Sequence, residues 1–234
     1  MRNTFLALIN TMMIVLVLST SAMALPLLSD ILGDSYGDYA DTGSEAAVLT
    51  DTDAINDDST FFLFLESAGF APQNTFGIYG FTYNEDNSVV LGETLQIFNG
   101  SASAITSATV TFDVTSGSAS LNGTSANIGT TFGFYLTTPE ANGYTYYSHA
   151  SLNNDGFDHF LIFDTSDNSV GSLLGADLVI AMEDLYGGGD QDYNDMVVGI
   201  SDVAPAPVPE PATLLLIGSG LIGMGAFRRK KTEA

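Results

Sequence analysis

Short runs of large apolar residues, separated by turn residues, fill most of the chain. Between residues 25 and 203 these runs are rich in Phe, Tyr, Val, Ile and Thr, and they are broken by Gly, Asn, Asp and Ser. Apolar positions rarely recur at the three- and four-residue spacing of an amphipathic helix, so the runs are interpreted as β-strands. Nine strands are predicted, at 61–66, 75–82, 88–98, 107–114, 130–137, 144–148, 159–164, 177–183 and 196–200.

This pattern predicts an all-β fold whose antiparallel strands form a β-sandwich or a jelly roll. The β-rich extracellular domain is predicted to span 59–203. Before it, 25–58 is predicted to be an acidic arm, because 29–58 holds nine carboxylates and few large apolar groups. Such a stretch is either disordered or a set of ligand-bearing loops, and disorder is favoured in the absence of metal. Residues 115–131, which are mostly small, are interpreted as an exposed turn region.

The N-terminus has the pattern of a secretory signal peptide. An almost entirely apolar run over 5–18 follows Arg2, and Ala22 and Ala24 place small residues at the two positions that signal peptidase reads. The predicted signal peptide therefore covers 1–24, with signal peptidase as a partner. A retained N-terminal anchor is the alternative, and the shortness of the apolar run argues against it.

The C-terminus combines a stiff linker, an apolar segment and a basic tail. Alternating prolines make 204–211 an extended linker, because proline fixes φ and removes a backbone donor. The sixteen residues 212–227 carry no charge. As a transmembrane helix they would reach about 24 Å, a little less than the hydrocarbon thickness of about 30 Å. The basic tail 228–234 is expected to stay in the cytoplasm, which places the acidic domain outside.

The order of these three parts resembles a PEP-CTERM sorting signal. The resemblance depends on Pro209, Glu210 and Pro211, on the short glycine-containing apolar segment, and on Arg228 and Arg229. It implies transient anchoring in the inner membrane of a Gram-negative, exopolysaccharide-producing bacterium, followed by removal of the tail by an exosortase. The product would reach the cell surface or the biofilm matrix. An ordinary single-span anchor is the alternative, which the short helix disfavours.

The charge distribution excludes several functions. The formal net charge is −23, no lysine or arginine occurs between Asn3 and Phe227, and only Glu233 of the 28 acidic residues lies beyond that stretch. Nucleic acids and anionic lipids are excluded as partners, because both are bound through lysine and arginine. Schiff-base lysines are excluded for the same reason. The absence of cysteine rules out a disulfide scaffold.

The twelve-residue loop 184–195 joins the last two predicted strands and is rich in oxygen ligands. Asp190, Asp192 and Asn194 follow one another at alternate positions, a spacing that suits a calcium site. Asp195 stands where an EF-hand requires glycine, so the loop is not an EF-hand. The candidate metal ligands are Glu183, Asp184, Asp190, Asp192, Asn194 and Asp195.

Electrostatics favours a metal at this loop. Two carboxylates about 4 Å apart repel by roughly 4 kcal/mol at an effective dielectric constant of 20, and no lysine or arginine is near in sequence to relieve them. Calcium is therefore the expected cofactor. The alternative is an ordinary Asp/Gly turn whose carboxylates are solvated.

A second acidic cluster precedes the strand at 159–164. Asp155 and Asp158 are candidate ligands, either for the same metal or for a neighbouring one. Zinc and copper are disfavoured, because His149 and His159 are the only histidines and cysteine is absent. His159 is expected to bond Asp158 or a backbone carbonyl.

The two acidic clusters together resemble the bacterial extracellular domain of unknown function 4114. The resemblance covers about 141–200 and rests on Asn153 to Phe160 and on Glu183 to Asp195. Position 191, often basic in that family, is glutamine here, which leaves the loop more negative. The resemblance implies a secreted β-rich domain with a calcium site and no established activity.

Three functions fit these observations. The favoured one is a non-enzymatic surface or matrix protein with a calcium-stabilised β-domain. The second is a calcium-dependent carbohydrate-binding module that binds exopolysaccharide. The third is a secreted hydrolase, for which no G-x-S-x-G or H-E-x-x-H motif is present and no carboxylate pair is singled out. The candidate sugar-binding residues are Tyr144, Tyr146, Tyr147, Tyr186 and Tyr193.

Overall fold

The computed structural model describes residues 28, 40–51, 56–66, 73–100, 102, 105–140, 143–167 and 173–207. In these residues the fold is all-β, with one short 3-10 helix at Ala150–Leu152. The strands are β1 (Ala47–Leu49), β2 (Asn56–Glu66), β3 (Thr75–Tyr83), β4 (Val89–Phe98), β5 (Thr106–Asp113), β6 (Ser118–Leu121), β7 (Thr124–Asn127), β8 (Thr131–Thr138), β9 (Tyr144–Tyr147), β10 (Phe160–Asp164), β11 (Leu178–Met182), β12 (Met196–Ile200) and β13 (Val203–Pro205).

The strands form two antiparallel sheets. The seven-stranded sheet has the order β10-β11-β12-β2-β5-β6-β7. The six-stranded sheet has the order β13-β1-β8-β3-β4, and β9 also pairs with β8. Both β1 and β9 fit along β8 because they pair with different halves of it: β1 pairs with Thr131 and Phe132, and β9 pairs with 135–138.

The inward faces of the two sheets pack against each other in a sandwich-like core. Phe61 of β2 lies 6.3 Å from Phe76 of β3, and Phe112 of β5 lies 5.3 Å from Phe132 of β8, measured between ring centroids. All four rings are buried. Burial of one such side chain stabilises the fold by about 2 to 3 kcal/mol, so this aromatic layer is a main source of stability.

The all-β prediction is confirmed, and each of the nine predicted strands corresponds to a strand of the structure. The interpretation of 115–131 as an exposed turn region is wrong for 118–121 and 124–127, which are strands. These residues form the β6-β7 hairpin, and Ala119, Ala126 and Ile128 are buried. Small side chains fit there without producing the bulky apolar run by which the other strands were recognised.

The paired strands extend past both predicted limits of the β-domain. Strand β1 and the start of β2 lie inside the predicted acidic arm, and the last two residues of β13 lie inside the predicted proline linker. Strand β1 pairs with β13 and β8, and Ala47 is fully buried. The expectation of disorder therefore does not hold for 40–51 and 56–58, because a short apolar run interrupts the acidic stretch at 46–49.

The predicted targeting segments lie outside the described residues. These are the signal peptide 1–24 with Ala22 and Ala24, the apolar segment 212–227, and the sorting residues Pro209, Glu210, Pro211, Arg228 and Arg229. Within the part of the chain that the structure describes, no helix is long and apolar enough to cross a membrane.

Candidate metal centre

Three neighbouring strands bring acidic residues to one end of the seven-stranded sheet. Strand β11 ends at Met182, which lies opposite Met196, the first residue of β12. Met196 also lies opposite Glu66, the last residue of β2. The loop between β11 and β12 therefore leaves the sheet beside Glu66.

The backbone of this loop is tightly wound. Gln191 and Tyr193 adopt left-handed conformations, with φ of 61° and 52°. Gly188 also has positive φ, and a Cβ atom added there would lie 2.1 Å from the ring of Phe157. Glycine is required at this position, because only its missing side chain leaves room for that ring.

The loop turns back so that three carboxylates face one another. One carboxylate oxygen from each of Glu183, Asp190 and Asp192 lies within 4.8 Å of the other two. Glu183 is fully buried, whereas Asp190 and Asp192 are exposed. Among the described residues, this is the group of acidic side chains whose geometry best fits one metal ion.

Glu183 carries an unpaired oxygen at the base of this group. The Tyr193 backbone N–H donates to Oε1 of Glu183 (2.7 Å). Its Oε2 is buried and has no hydrogen-bond partner among the described residues. Leaving a buried carboxylate oxygen unpaired is costly, so it requires either a proton or a cation.

Burial and the charges of neighbouring carboxylates raise the pKa values of Glu183 and Asp195. Burial, followed by the charges of Asp190 and Asp192, raises the pKa of Glu183. Burial, together with the charges of Asp184 and Glu183, raises the pKa of Asp195 to about 8. With no lysine or arginine in the domain, protonation of these carboxyls and cation binding compete for the same negative charge.

The remaining predicted ligands of the loop have other contacts. Asn194 orients Asp192, since its backbone N–H donates to Oδ1 (3.2 Å) and its side-chain amide donates to Oδ2 (2.6 Å). Asp184 points away from Asp190 and Asp192, and its Oδ2 accepts a bond from the Asn74 amide (2.8 Å). Asp195 accepts a bond from the Asp184 backbone N–H (2.9 Å).

The second predicted cluster supports the loop from outside the three-carboxylate group. Asp155 accepts a bond from the Gly187 backbone N–H (2.8 Å) and lies 3.0 Å from Nε2 of His159. Asp158 is exposed, and its Oδ1 accepts a bond from the Phe160 backbone N–H (3.1 Å). Asp155 therefore holds the loop in place.

His159 links the two acidic clusters. Its Nδ1 lies 2.9 Å from the Glu183 carbonyl oxygen, which confirms the expected bond to a backbone carbonyl. Its other partner is Asp155 rather than Asp158. Both ring nitrogens therefore lie within hydrogen-bond distance of acceptor oxygens. Burial alone raises the pKa of Asp155, but hydrogen bonds from Gly187, Phe157 and His159 outweigh it and lower the pKa.

Sequence reasoning missed three polar residues that contact this region. Glu140 accepts bonds from the Tyr186 backbone N–H (2.8 Å) and from the Tyr146 hydroxyl (3.1 Å). Glu66 and Asn74 lie near Asp184 although they are more than 100 residues away in the chain. The pairing of β2 with β12 brings Glu66 there, the packing of the two sheets brings Asn74 there, and no local motif signals either.

The candidate sugar-binding tyrosines are not equally accessible. Tyr146 is buried and stacks on His159 with ring centroids 3.6 Å apart. Tyr193 donates its hydroxyl proton to the Asp158 carbonyl oxygen (2.9 Å). Tyr186 is 51% exposed, and its ring lies 5.4 Å from that of Tyr144.

Comparison with known protein families identifies two matches. The domain of unknown function DUF4114 matches residues 127–202, and the PEP-CTERM protein-sorting motif matches residues 207–230. The first match contains the acidic loop and its supporting histidine. Both resemblances found in the sequence are thereby confirmed. The chain is an exported protein, sorted through membrane-associated processing by an exosortase toward the cell surface.

No curated protein and no solved structure shows significant similarity to the chain.

Proposed function

We propose that the domain binds a calcium ion through Glu183, Asp190 and Asp192. The observation that carries this proposal is the buried, unpaired Oε2 of Glu183, at the base of three carboxylates whose oxygens lie within 4.8 Å of one another. The ion supplies the positive charge that the domain lacks. Its role is to stabilise a non-enzymatic protein of the cell surface or the extracellular matrix, in agreement with the sorting motif.

The ligand chemistry favours calcium over other common metals. Calcium takes six to eight oxygen ligands at about 2.3 to 2.6 Å, so ligand oxygens around one ion are separated by at most about 5 Å. The spacing of the three carboxylates is compatible with this limit. Asp190 and Asp192 are exposed, which leaves room for water to complete the shell. Zinc prefers nitrogen and sulfur ligands, which this group does not offer.

The proposal is tested by calcium titration of the full chain in a calorimeter. Asp192→Asn removes a charged ligand but retains an oxygen that can accept the Asn194 bond, and calcium affinity at this site is expected to fall at least tenfold. Asp164→Asn is the matched control, because Asp164 forms the same kind of turn with Ser166 outside the cluster. Equal calcium binding by wild type and Asp192→Asn would contradict the proposal.

Carbohydrate binding is a second candidate, favoured by one observation. The exposed Tyr186 ring lies beside Tyr144 at the acidic loop, and aromatic faces of this kind stack on sugar rings. Retention on the exopolysaccharide of the producing cells is expected to be lost in Tyr186→Ala. Tyr83→Ala is the control, because Tyr83 is similarly exposed but lies elsewhere. Absence of retention of the wild-type chain, or equal loss in both variants, would argue against this function.

A further inference from the structure

Glu183 and Asp184 follow β11 directly, and their carboxylates contact different groups. Glu183 faces Asp190 and Asp192, whereas Asp184 faces Asn74. Asp184 is 2% exposed, so its carboxylate is nearly as buried as that of Glu183. The acidic sheet end therefore has a second side.

Two further oxygen atoms on that second side lack partners. Asn74 is fully buried, and while its Nδ2 donates to Asp184, its Oδ1 has no hydrogen-bond partner among the described residues. Glu66 presents a buried Oε1 that is also without a partner in the described part of the chain. Because Oδ1 and Nδ2 belong to one amide group, the unpaired Oδ1 lies within about 5 Å of Oδ2 of Asp184.

We infer that Asp184, Glu66 and Asn74 form a second cation site, separate from that of Glu183, Asp190 and Asp192. Buried carboxylate and amide oxygens are ligands for a hard divalent cation such as calcium. Each of the two unpaired oxygens is an acceptor, and the domain has no lysine or arginine to satisfy it. Asp195, bonded to the Asp184 backbone, lies between the two sites.

The second site has a structural consequence that the first does not. Glu66 ends β2 and Asp184 follows β11, both in the seven-stranded sheet. Asn74 immediately precedes Thr75, the first residue of β3 in the six-stranded sheet. A cation held by these three residues therefore joins the two sheets at one end of the sandwich, whereas the first site closes only the loop between β11 and β12.

The two sites are distinguished by counting calcium ions bound per full chain, using native mass spectrometry and calorimetry. Wild type is expected to bind two ions, Glu66→Gln one, Asp192→Asn one, and the double variant none. Glu93→Gln, at an exposed position, is the control and is expected to bind two. If Glu66→Gln binds as many ions as wild type, the second site is refuted. If Glu66→Gln loses an ion but Asp192→Asn does not, the second site is supported and the first is refuted.

A second variant keeps the test decisive if Glu66→Gln fails to fold. Asn74→Asp retains the ligand oxygen and adds a negative charge beside Asp184. With a cation present, this change is expected to increase affinity at the second site several-fold and to enlarge the rise in melting temperature caused by calcium. If Asn74 serves only to bond Asp184, the variant is destabilised equally with and without calcium, and this result would overturn the inference.

Discussion

At the residue scale, His149 shows how burial controls charge in this domain. It is 1% exposed, and its ring lies 4.4 Å from that of Phe81. The Tyr79 hydroxyl lies 2.6 Å from Nδ1, and Nε2 has no partner among the described residues. Burial lowers the pKa of His149 to about 4, so the ring stays neutral at pH values where a solvated histidine would be charged.

This burial makes part of the stability dependent on pH. The unfolded chain protonates His149 near pH 6.5, whereas the folded domain resists protonation until about pH 4. Above pH 6.5 the burial of neutral His149 does not reduce the free energy of unfolding. As the pH falls toward 4, the unfolded chain binds the proton more readily than the folded domain, and the free energy of unfolding falls by about 3 kcal/mol. In His149→Asn, which retains an acceptor for Tyr79, this part of the loss is expected to disappear.

The measurement is urea unfolding of wild type and His149→Asn at pH 7 and pH 4. Carboxyl groups titrate in both proteins, so their contribution cancels in the comparison. If both proteins lose the same free energy of unfolding between the two pH values, burial of a neutral His149 does not contribute.

The residues of the candidate sites differ in how far the sequence predicts them. Glu183, Asp190 and Asp192 are predictable, because one short loop carries all three and their spacing is visible in the chain. Glu66 and Asn74 are not, because their positions depend on strand pairing within one sheet and on the packing of the other sheet against it. Short-range spacing contains no information about that pairing.

At the element scale, the acidic loop depends on the strand that supports it. Side-chain exposure is 4% for Asp155 and 0% for His159, and the pair contacts both Gly187 and the Glu183 carbonyl. Removing the acceptor from a buried hydrogen bond leaves its donor unsatisfied, at a cost of about 1 to 3 kcal/mol. Asp155 and His159, which lie just before β10, therefore hold the first part of the loop, including Glu183.

Asp155→Asn is expected to lower the free energy of unfolding by roughly 2 kcal/mol, because Oδ2 of Asp155 accepts the Gly187 bond and faces Nε2 of His159, and an amide group has only one acceptor oxygen. Asp164→Asn is the matched control. Asp164 is exposed, and an asparagine there can still accept the Ser166 bond, so a change below about 0.5 kcal/mol is expected. Urea unfolding measures both, and equal effects would show that the Asp155 and His159 pair does not support the loop.

Glycines within the loop provide a second test at this scale. Gly187 and Gly188 both have positive φ, but only at Gly188 would a Cβ atom meet a neighbouring ring, that of Phe157. Gly187→Ala is expected to cost about 1 kcal/mol from backbone strain alone. Gly188→Ala is expected to cost at least about 2 kcal/mol more and to weaken calcium binding, because Phe157 must move. Equal thermal stability of the two variants would contradict this packing.

Strand prediction succeeds or fails according to side-chain size. Strands such as β3 and β8 contain Phe, Tyr, Ile and Leu at consecutive buried positions, and such runs are recognisable without a partner strand. Strands β6 and β7 consist mainly of Ser, Ala, Thr and Asn, which also form turns. Strand β1 has three residues and exists because β8 and β13 flank it. Tertiary pairing, which the local sequence does not show, determines these elements.

At the scale of the whole molecule, the charge distribution makes dissolved cations part of the stability of the domain. The net charge is −23, and the lysines and arginines lie only at the ends of the chain. Self-repulsion of this size destabilises a compact state unless counterions bind. Calcium bound at the sheet end that carries Glu183 would relieve this repulsion where the carboxylates are most buried. We therefore expect an effect specific to calcium rather than a general effect of ionic strength.

The most direct test of calcium stabilisation is the melting temperature of the full chain in calcium and in chelator, at matched ionic strength. At free calcium tenfold above the dissociation constant, each site adds about 1.4 kcal/mol, so two sites add about 3 kcal/mol. For a domain of this size, that corresponds to a rise of about 6 to 10 °C. Such a rise, absent when magnesium or sodium replaces calcium, is the predicted result. Identical melting temperatures in calcium and in chelator would contradict calcium binding at the acidic sheet end.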